Sequence, residues 1–116
     1  MAVGRPLGPD RQMGGVSAKL GKRLGHEFKD LGLLSQALTH PSADGANYQR
    51  FEFLGDRVLG LVIAENLFRL FPGASEGELS VRLNQLVSAE ACARVADDLG
   101  LHRFIKTGQD VKKLTG

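Results

Sequence analysis

The sequence is poor in cysteine, tryptophan and long apolar runs. Cys92 is its single cysteine, so the 116 residues hold no internal disulfide bond, as is typical of a reducing cytosol. The longest apolar stretch, residues 58–71, is broken by Glu65, Asn66 and Arg69, and it falls short of the ~18 apolar residues of a membrane-spanning helix. The N-terminus also lacks the apolar segment of a secretory signal. We therefore expect a soluble, cytoplasmic protein with no membrane partner.

Length, composition and charge limit the chain further. Its 116 residues correspond to about one domain, and a hydrophobic content of 42% is sufficient for one core. The formal net charge is +2 and the pI is about 8.9. A mildly basic chain is compatible with a nucleic-acid partner, but an ordinary solvated surface explains the same charge.

Apolar residues recur mostly at the spacing of helices, which predicts an all-α fold. Residues 1–16, rich in Gly, Pro and Arg, are predicted to form a flexible tail before a domain over 17–116. Cap residues and helix breakers predict the bounds of five helices. These are Ser17–Leu24, a helix after residue 28 that Pro41 ends, a long helix from Tyr48 or Gln49 to about Phe71, one that Ser75 caps with Glu78, and one from Ser88 to Gly100.

The long helix has an unusual apolar pattern. Its apolar residues at 51, 54, 58, 61 and 62 follow the period of one helix face. Gly55 and Gly60 lower its helical propensity, which indicates that another element packs close to its backbone.

Two carboxylates interrupt this apolar helix within the stretch QRFEFLGDRVLG. Glu52 and Asp56 are four residues apart, so a helix places both on one face, where like charges repel by a few tenths of a kcal/mol. A hard divalent cation such as Mg²⁺ would remove the repulsion, with further acids arriving from another helix. A solvated face, with pairing to Arg50 or Arg57, is the alternative. The spacing alone does not decide between them.

The same stretch resembles the signature of the ribonuclease III family, whose usual form is E-R-L-E-F-L-G-D-S-V-L. Flanking stretches resemble the family too, namely LLSQALTHPS, FPGASEGELS and LVSAEACARVADDLGL, and the resemblance covers about residues 20–105. Eight residues of the signature match in order: Arg50, Glu52, Phe53, Leu54, Gly55, Asp56, Val58 and Leu59. Because three flanking motifs occur together, a generic helical protein with a chance acidic pair is disfavoured.

The resemblance implies an all-helical endonuclease domain that hydrolyses double-stranded RNA with Mg²⁺ or Mn²⁺, processes RNAs such as ribosomal RNA, and works as a homodimer. It implies that Glu52 and Asp56 are the metal ligands and catalytic carboxylates. It also implies that Glu76 and Gln49 line the cleavage valley and that Phe53 belongs to the dimer contact. The chemistry agrees, since a metal-bound water becomes a usable nucleophile near neutral pH and A-form RNA is read by shape.

Three departures from the family pattern leave a second function open. Gln49 replaces the leading acid of the signature, and Arg57 replaces the serine after the aspartate. The family's second acid pair, D-x-x-E-A-L, has no counterpart in the 116 residues. We therefore expect either the N-terminal portion of a longer enzyme or a catalytically inactive module that binds RNA or dimerises.

The histidines favour no further catalytic site. His40, in ALTHPS, precedes the helix-ending Pro41, and we expect it to be a structural hydrogen bonder rather than a general base. His26 and His102 have no partners at the spacing of zinc ligands, so no zinc site is expected.

Overall fold

The computed structural model describes residues 9–108, with side chains from Met13 onward, and this part of the chain is all-α as predicted. It forms five α-helices and a short 3₁₀-helix: α1 Pro9–Leu24, α2 Leu31–Ala37, α3 Gln49–Leu70, α4 Glu76–Leu86, α5 Ala89–Leu99 and the 3₁₀-helix Leu101–Phe104. Among these helices, none is both long and apolar enough to cross a membrane.

The chain divides into two compact units. The terminal unit comprises the described residues up to Gln49 together with those from Leu99 onward. The middle unit is Arg50–Asp98, which includes nearly all of α3 and the whole of α4.

Helix α1 begins well before the predicted start, so the predicted tail is wrong for residues 9–16. Proline is favoured at the first helical position, where its missing N–H is not needed, and α1 begins at Pro9. Met13 is 0% exposed and belongs to the core. Ser17 is not an N-cap but lies within α1, where its hydroxyl donates to the Gly14 carbonyl at 2.9 Å. Residues 1–8 of the predicted tail lie outside the described residues.

The core of the terminal unit joins α1 and α2. Four buried side chains form it, Met13, Leu20, Leu34 and Leu38. Half-buried apolar residues surround them, including Phe104 and Ile105 from the end of the described chain. The N-cap of α2 is Asp30, whose carboxylate accepts from the Leu33 N–H at 3.0 Å. Helix α2 ends at Ala37, several residues before Pro41, so proline is not what stops it.

The helices of the middle unit keep their predicted bounds. Helix α3 begins at Gln49 and ends at Leu70, just before Pro72. The hydroxyl of Ser75 accepts from the Glu78 N–H at 3.2 Å and donates to the Glu78 carboxylate, which caps α4 as expected. Helix α5 ends before Gly100, which adopts the left-handed conformation at φ 66°.

The predicted apolar face of α3 does not form a core. Leu54, Val58 and Leu61 are all more than half exposed, and the buried residue of α3 is instead Leu67. The space around Gly55 and Gly60 is open, so the close packing that these glycines indicated is absent within the described residues. A helix that is apolar on several sides is typical of a helix surrounded by other elements. The surface of α3 therefore retains apolar area that the described residues leave uncovered.

Substitution of two adjacent leucines in α2 tests whether the terminal unit has the core described above. Leu34 is 6% exposed and Leu33 is 53% exposed. We expect Leu34→Ala to lower the free energy of unfolding by about 2–5 kcal/mol, because it leaves a cavity. Leu33→Ala, the control, should change it by no more than about 0.5 kcal/mol. Urea unfolding measures both, and equal losses would contradict this core.

Candidate active site on helix α3

Glu52 and Asp56 lie in one continuous helix, so their spacing places both carboxylates on the same face. Both residues are exposed. Glu52 lies in the first turn of α3, where the helix dipole favours a negative charge. The two acids therefore form a solvent-accessible anionic stripe rather than a buried pair.

Arg57 forms an ion pair with this stripe. Its Nη1 donates to Asp56 Oδ2 at 3.2 Å, and the two side chains are 62% and 60% exposed. The same guanidinium lies 4.4 Å from the ring centroid of Phe53. The structure thus shows Arg57 both exposed and paired with Asp56, the pairing that the solvated-face alternative offered. An exposed pair contributes at most about 1 kcal/mol, so Asp56 remains available to another cation.

Gln49 lies on the same helix, three residues before Glu52. It is the first residue of α3, and its backbone N–H donates to Asn47 Oδ1 at 3.0 Å. Its amide side chain is exposed. The helical spacing places Gln49, Glu52 and Asp56 along one stripe.

The two remaining candidate residues are Glu76 and Phe53. Glu76 is the first residue of α4, and within the described chain no hydrogen bond or ion pair joins it to Glu52 or Asp56. Phe53 is 64% exposed, although Arg57 partly covers its ring. The structure thus leaves Phe53 accessible to a partner.

The donor set suits a hard cation but is short of a complete metal site. Carboxylate oxygens are the ligands that Mg²⁺ prefers, and water fills its remaining positions. Among the side chains that the structure describes, those of residues 13–108, no group of three or more His, Cys, Asp or Glu converges. Glu52 and Asp56 therefore offer two carboxylates to such an ion, and the described residues add no third acid to them.

His40 is a structural hydrogen bonder, as expected. Its Nδ1 accepts from the Ser42 N–H at 3.0 Å and lies 2.8 Å from Ser42 Oγ. The ring also contacts Tyr48 edge to face, with the centroids 5.8 Å apart.

Sequence reasoning missed the contact between Arg57 and Phe53. The two residues are four apart in a helix, which is the spacing at which a cation can stack on an aromatic ring. This contact holds Arg57 beside Asp56, so it bears on the charge of the stripe.

Several known proteins are similar to this chain in sequence. Ribonuclease 3 of Agrobacterium fabrum is 58% identical over 119 residues, which cover 100% of this chain and 48% of that protein. Ribonuclease 3 of Rhizobium etli (strain CIAT 652) is 67% identical over 102 residues, or 85% of this chain and 43% of the relative. The chain thus spans about half the length of the curated relatives it matches.

A solved structure agrees with these relatives. The nuclease domain of ribonuclease III from Campylobacter jejuni, described as flexible in a region involved in dimer formation, superposes with a TM-score of 0.73 at 46% identity. The match covers 77% of this chain and 63% of that one. The family model described as the ribonuclease III domain matches residues 49–115. This range is more than half of the sequence, and it includes Gln49, Glu52 and Asp56. The chain therefore belongs to the ribonuclease III domain family.

Proposed function

We propose that the protein acts in a double-strand-specific endoribonuclease that hydrolyses RNA phosphodiesters with a divalent cation. The observation that carries this proposal is the exposed stripe of Glu52 and Asp56 on one face of α3, in a chain that is 58–67% identical to proteins named Ribonuclease 3. Their exposure fits this role, because it leaves both carboxylates accessible to a cation from solvent.

Glu52 and Asp56 are the proposed metal ligands and catalytic carboxylates. Mg²⁺ is the proposed ion, with Mn²⁺ as a substitute, because both take oxygen ligands. When bound, such an ion activates water and offsets the charge of the phosphate. Gln49 can orient a water by hydrogen bonding, and Glu76 is proposed to line the same valley.

Double-stranded RNA is the proposed substrate, and ribosomal RNA processing is the proposed role. An A-form duplex presents phosphates and 2′-hydroxyls, which can be recognised by shape without a sequence code. The proposed compartment is the cytoplasm, where the thiol of Cys92, the chain's single cysteine, stays reduced.

A homodimer is the proposed assembly, with Phe53 in the contact. The 64% exposure of this large apolar ring supports the assignment, since exposed aromatic residues are common anchors of interfaces.

A catalytically inactive RNA-binding or dimerisation module is the second candidate. Two observations favour it: Arg57 already pairs with Asp56, and no third acid joins the stripe within the described residues. The two candidates differ in whether the acids are needed for cleavage.

A chimera tests the catalytic assignment. In it, this chain replaces the matching residues of Ribonuclease 3 from Agrobacterium fabrum, which supplies the rest of that protein. We expect the chimera to cleave an RNA duplex in Mg²⁺. Glu52→Gln or Asp56→Asn should lower the cleavage rate by at least about 10²-fold, because each removes a negative charge from the proposed site.

Glu65→Gln is the matched control, because Glu65 is an exposed acid of the same helix that pairs with Arg69. It should leave cleavage unchanged, and all variants should keep the melting temperature of the chimera. Full activity in Glu52→Gln would refute the metal-ligand role. A chimera that binds the duplex but does not cut it would favour the inactive module.

Arg57 should weaken cation binding by competing for Asp56. We expect Arg57→Gln to tighten the binding of Mn²⁺ to the chain by about two- to fivefold, the range that an exposed ion pair contributes. Isothermal titration calorimetry measures the change. Arg69→Gln, which breaks the ion pair with Glu65 at 2.8 Å, is the control and should have no effect. Equal effects of the two variants would show that only overall charge matters.

Phe53 should be required for dimerisation. Sedimentation should show that Phe53→Ala shifts the chain from dimer to monomer. Phe68→Ala is the control, because Phe68 is 72% exposed on the same helix. If Phe53→Ala leaves the mass unchanged, the dimer contact lies elsewhere.

A further inference from the structure

The loop between α2 and α3 is tied to the end of the described chain. The Lys106 N–H donates to the Leu38 carbonyl at 2.8 Å, and the His40 N–H donates to the Lys106 carbonyl at 2.7 Å. Thr39 and Lys106 therefore form an isolated parallel β-bridge. We call the contacts between residues 38–42 and 106–108 the loop clasp.

His40 connects the two sides of the loop clasp through one ring nitrogen. A backbone N–H can only donate, so the bond from the Ser42 N–H at 3.0 Å uses His40 Nδ1 as its acceptor, as in the tautomer that carries its proton on Nε2. Ser42 Oγ lies 2.8 Å from the same nitrogen and accepts from the Gly108 N–H at 3.0 Å, so its own proton is free to donate to Nδ1.

The backbones on the two sides of the loop clasp lie against each other. A Cβ atom at Gly108 would overlap the carbonyl oxygen of Ser42. Lys106 adds a second link, since its Nζ donates to Ser35 Oγ at 2.8 Å. Such close contacts leave little room for the loop to shift while the bonds are intact.

The loop clasp lies directly before α3. The Tyr48 N–H donates to the Thr39 carbonyl at 3.0 Å, and the Tyr48 ring contacts the His40 ring. Tyr48 is followed by Gln49, the first residue of α3. The backbone that starts α3 is therefore held by Thr39 and His40, which belong to the same segment 38–42 that bonds to Lys106 and Gly108.

We propose that His40 is a positioning residue: through Nδ1 and Ser42 it locks residues 106–108 to the α2–α3 loop, and so fixes the backbone at which α3 begins. Loss of the Nδ1 acceptor frees Gly108 and Tyr48 together, although the two residues are far apart in sequence. A histidine that only fills space would not couple them.

Two replacements of His40 separate the acceptor from the ring. Asparagine places an oxygen where Nδ1 lies and can accept from the N–H two residues on, so His40→Asn should keep the loop clasp. Phenylalanine keeps the ring against Tyr48 but has no acceptor. We expect His40→Phe to accelerate amide hydrogen exchange at Ser42, Tyr48 and Gly108 by about fivefold, the effect of losing one net hydrogen bond. His40→Asn should stay within about twofold of the parent chain.

His26→Phe is the control, because the His26 ring packs on Phe28 in the same unit at a centroid distance of 4.8 Å. It should leave exchange at Tyr48 and Gly108 unchanged. Ser42→Ala removes the acceptor of the Gly108 N–H but not that of its own N–H, so it should accelerate exchange at Gly108 alone.

Nitrogen NMR of the imidazole supplies an independent signature. In the parent chain, Nδ1 of His40 should be the unprotonated nitrogen at a pH where the ring is neutral. None of these measurements depends on RNA cleavage, so they stand apart from the proposed function. A protonated Nδ1, or equal exchange at Gly108 in His40→Phe and His40→Asn, would overturn the proposal.

Discussion

The carboxylates of Glu52 and Asp56 repel each other on one face of α3. Like charges four residues apart weaken a helix by a few tenths of a kcal/mol, and here both remain exposed on one face. Arg57 offsets part of this repulsion from the Asp56 side, while Phe53 holds its guanidinium in place. Since the surrounding residues do not bury or fully neutralise the acids, the stripe keeps a net negative charge that a cation can use.

The two units of the chain differ in how they are held together. The terminal unit has a buried core of α1 and α2 with polar links such as the loop clasp. The middle unit buries Leu67 but leaves many large apolar side chains of α3, α4 and α5 exposed. An exposed apolar surface of this extent is typical of a protein that contacts further elements or a partner. Glu52 and Asp56, the proposed catalytic residues, lie in this middle unit.

Local signals in the sequence predicted the bounds of α3, α4 and α5. Each bound depends on a local helix breaker or cap, namely Pro72, Ser75 or Gly100. Because such a residue affects only the adjacent backbone, its effect can be predicted without knowing the fold. The start of α1 could not be predicted in this way, because Gly14 and Gly15 are typical of a linker. Only the structure shows that Met13, the residue before them, is buried in the core.

Long-range contacts explain the other differences. Helix α2 ends before Pro41 because Leu38 and His40 bond to Lys106, a partner more than sixty residues away. Which face of α3 is covered depends likewise on how other elements pack, which a helical period cannot specify. For the candidate site, spacing indicated the shared face of Glu52 and Asp56, and the family resemblance supplied their roles. The stacking of Arg57 on Phe53 became evident only from the side chains.

Paramagnetic relaxation by Mn²⁺ shows whether Glu52 and Asp56 bind a divalent ion. The chain, labelled with ¹⁵N, is titrated with the ion, and the broadening of each backbone amide is recorded. We expect the broadening to centre on Glu52 and Asp56 and to be weak at Glu65, the exposed acid farther along the same helix. Broadening of equal strength at Glu65, or none at Glu52 and Asp56, would contradict the claim that these two carboxylates hold the ion.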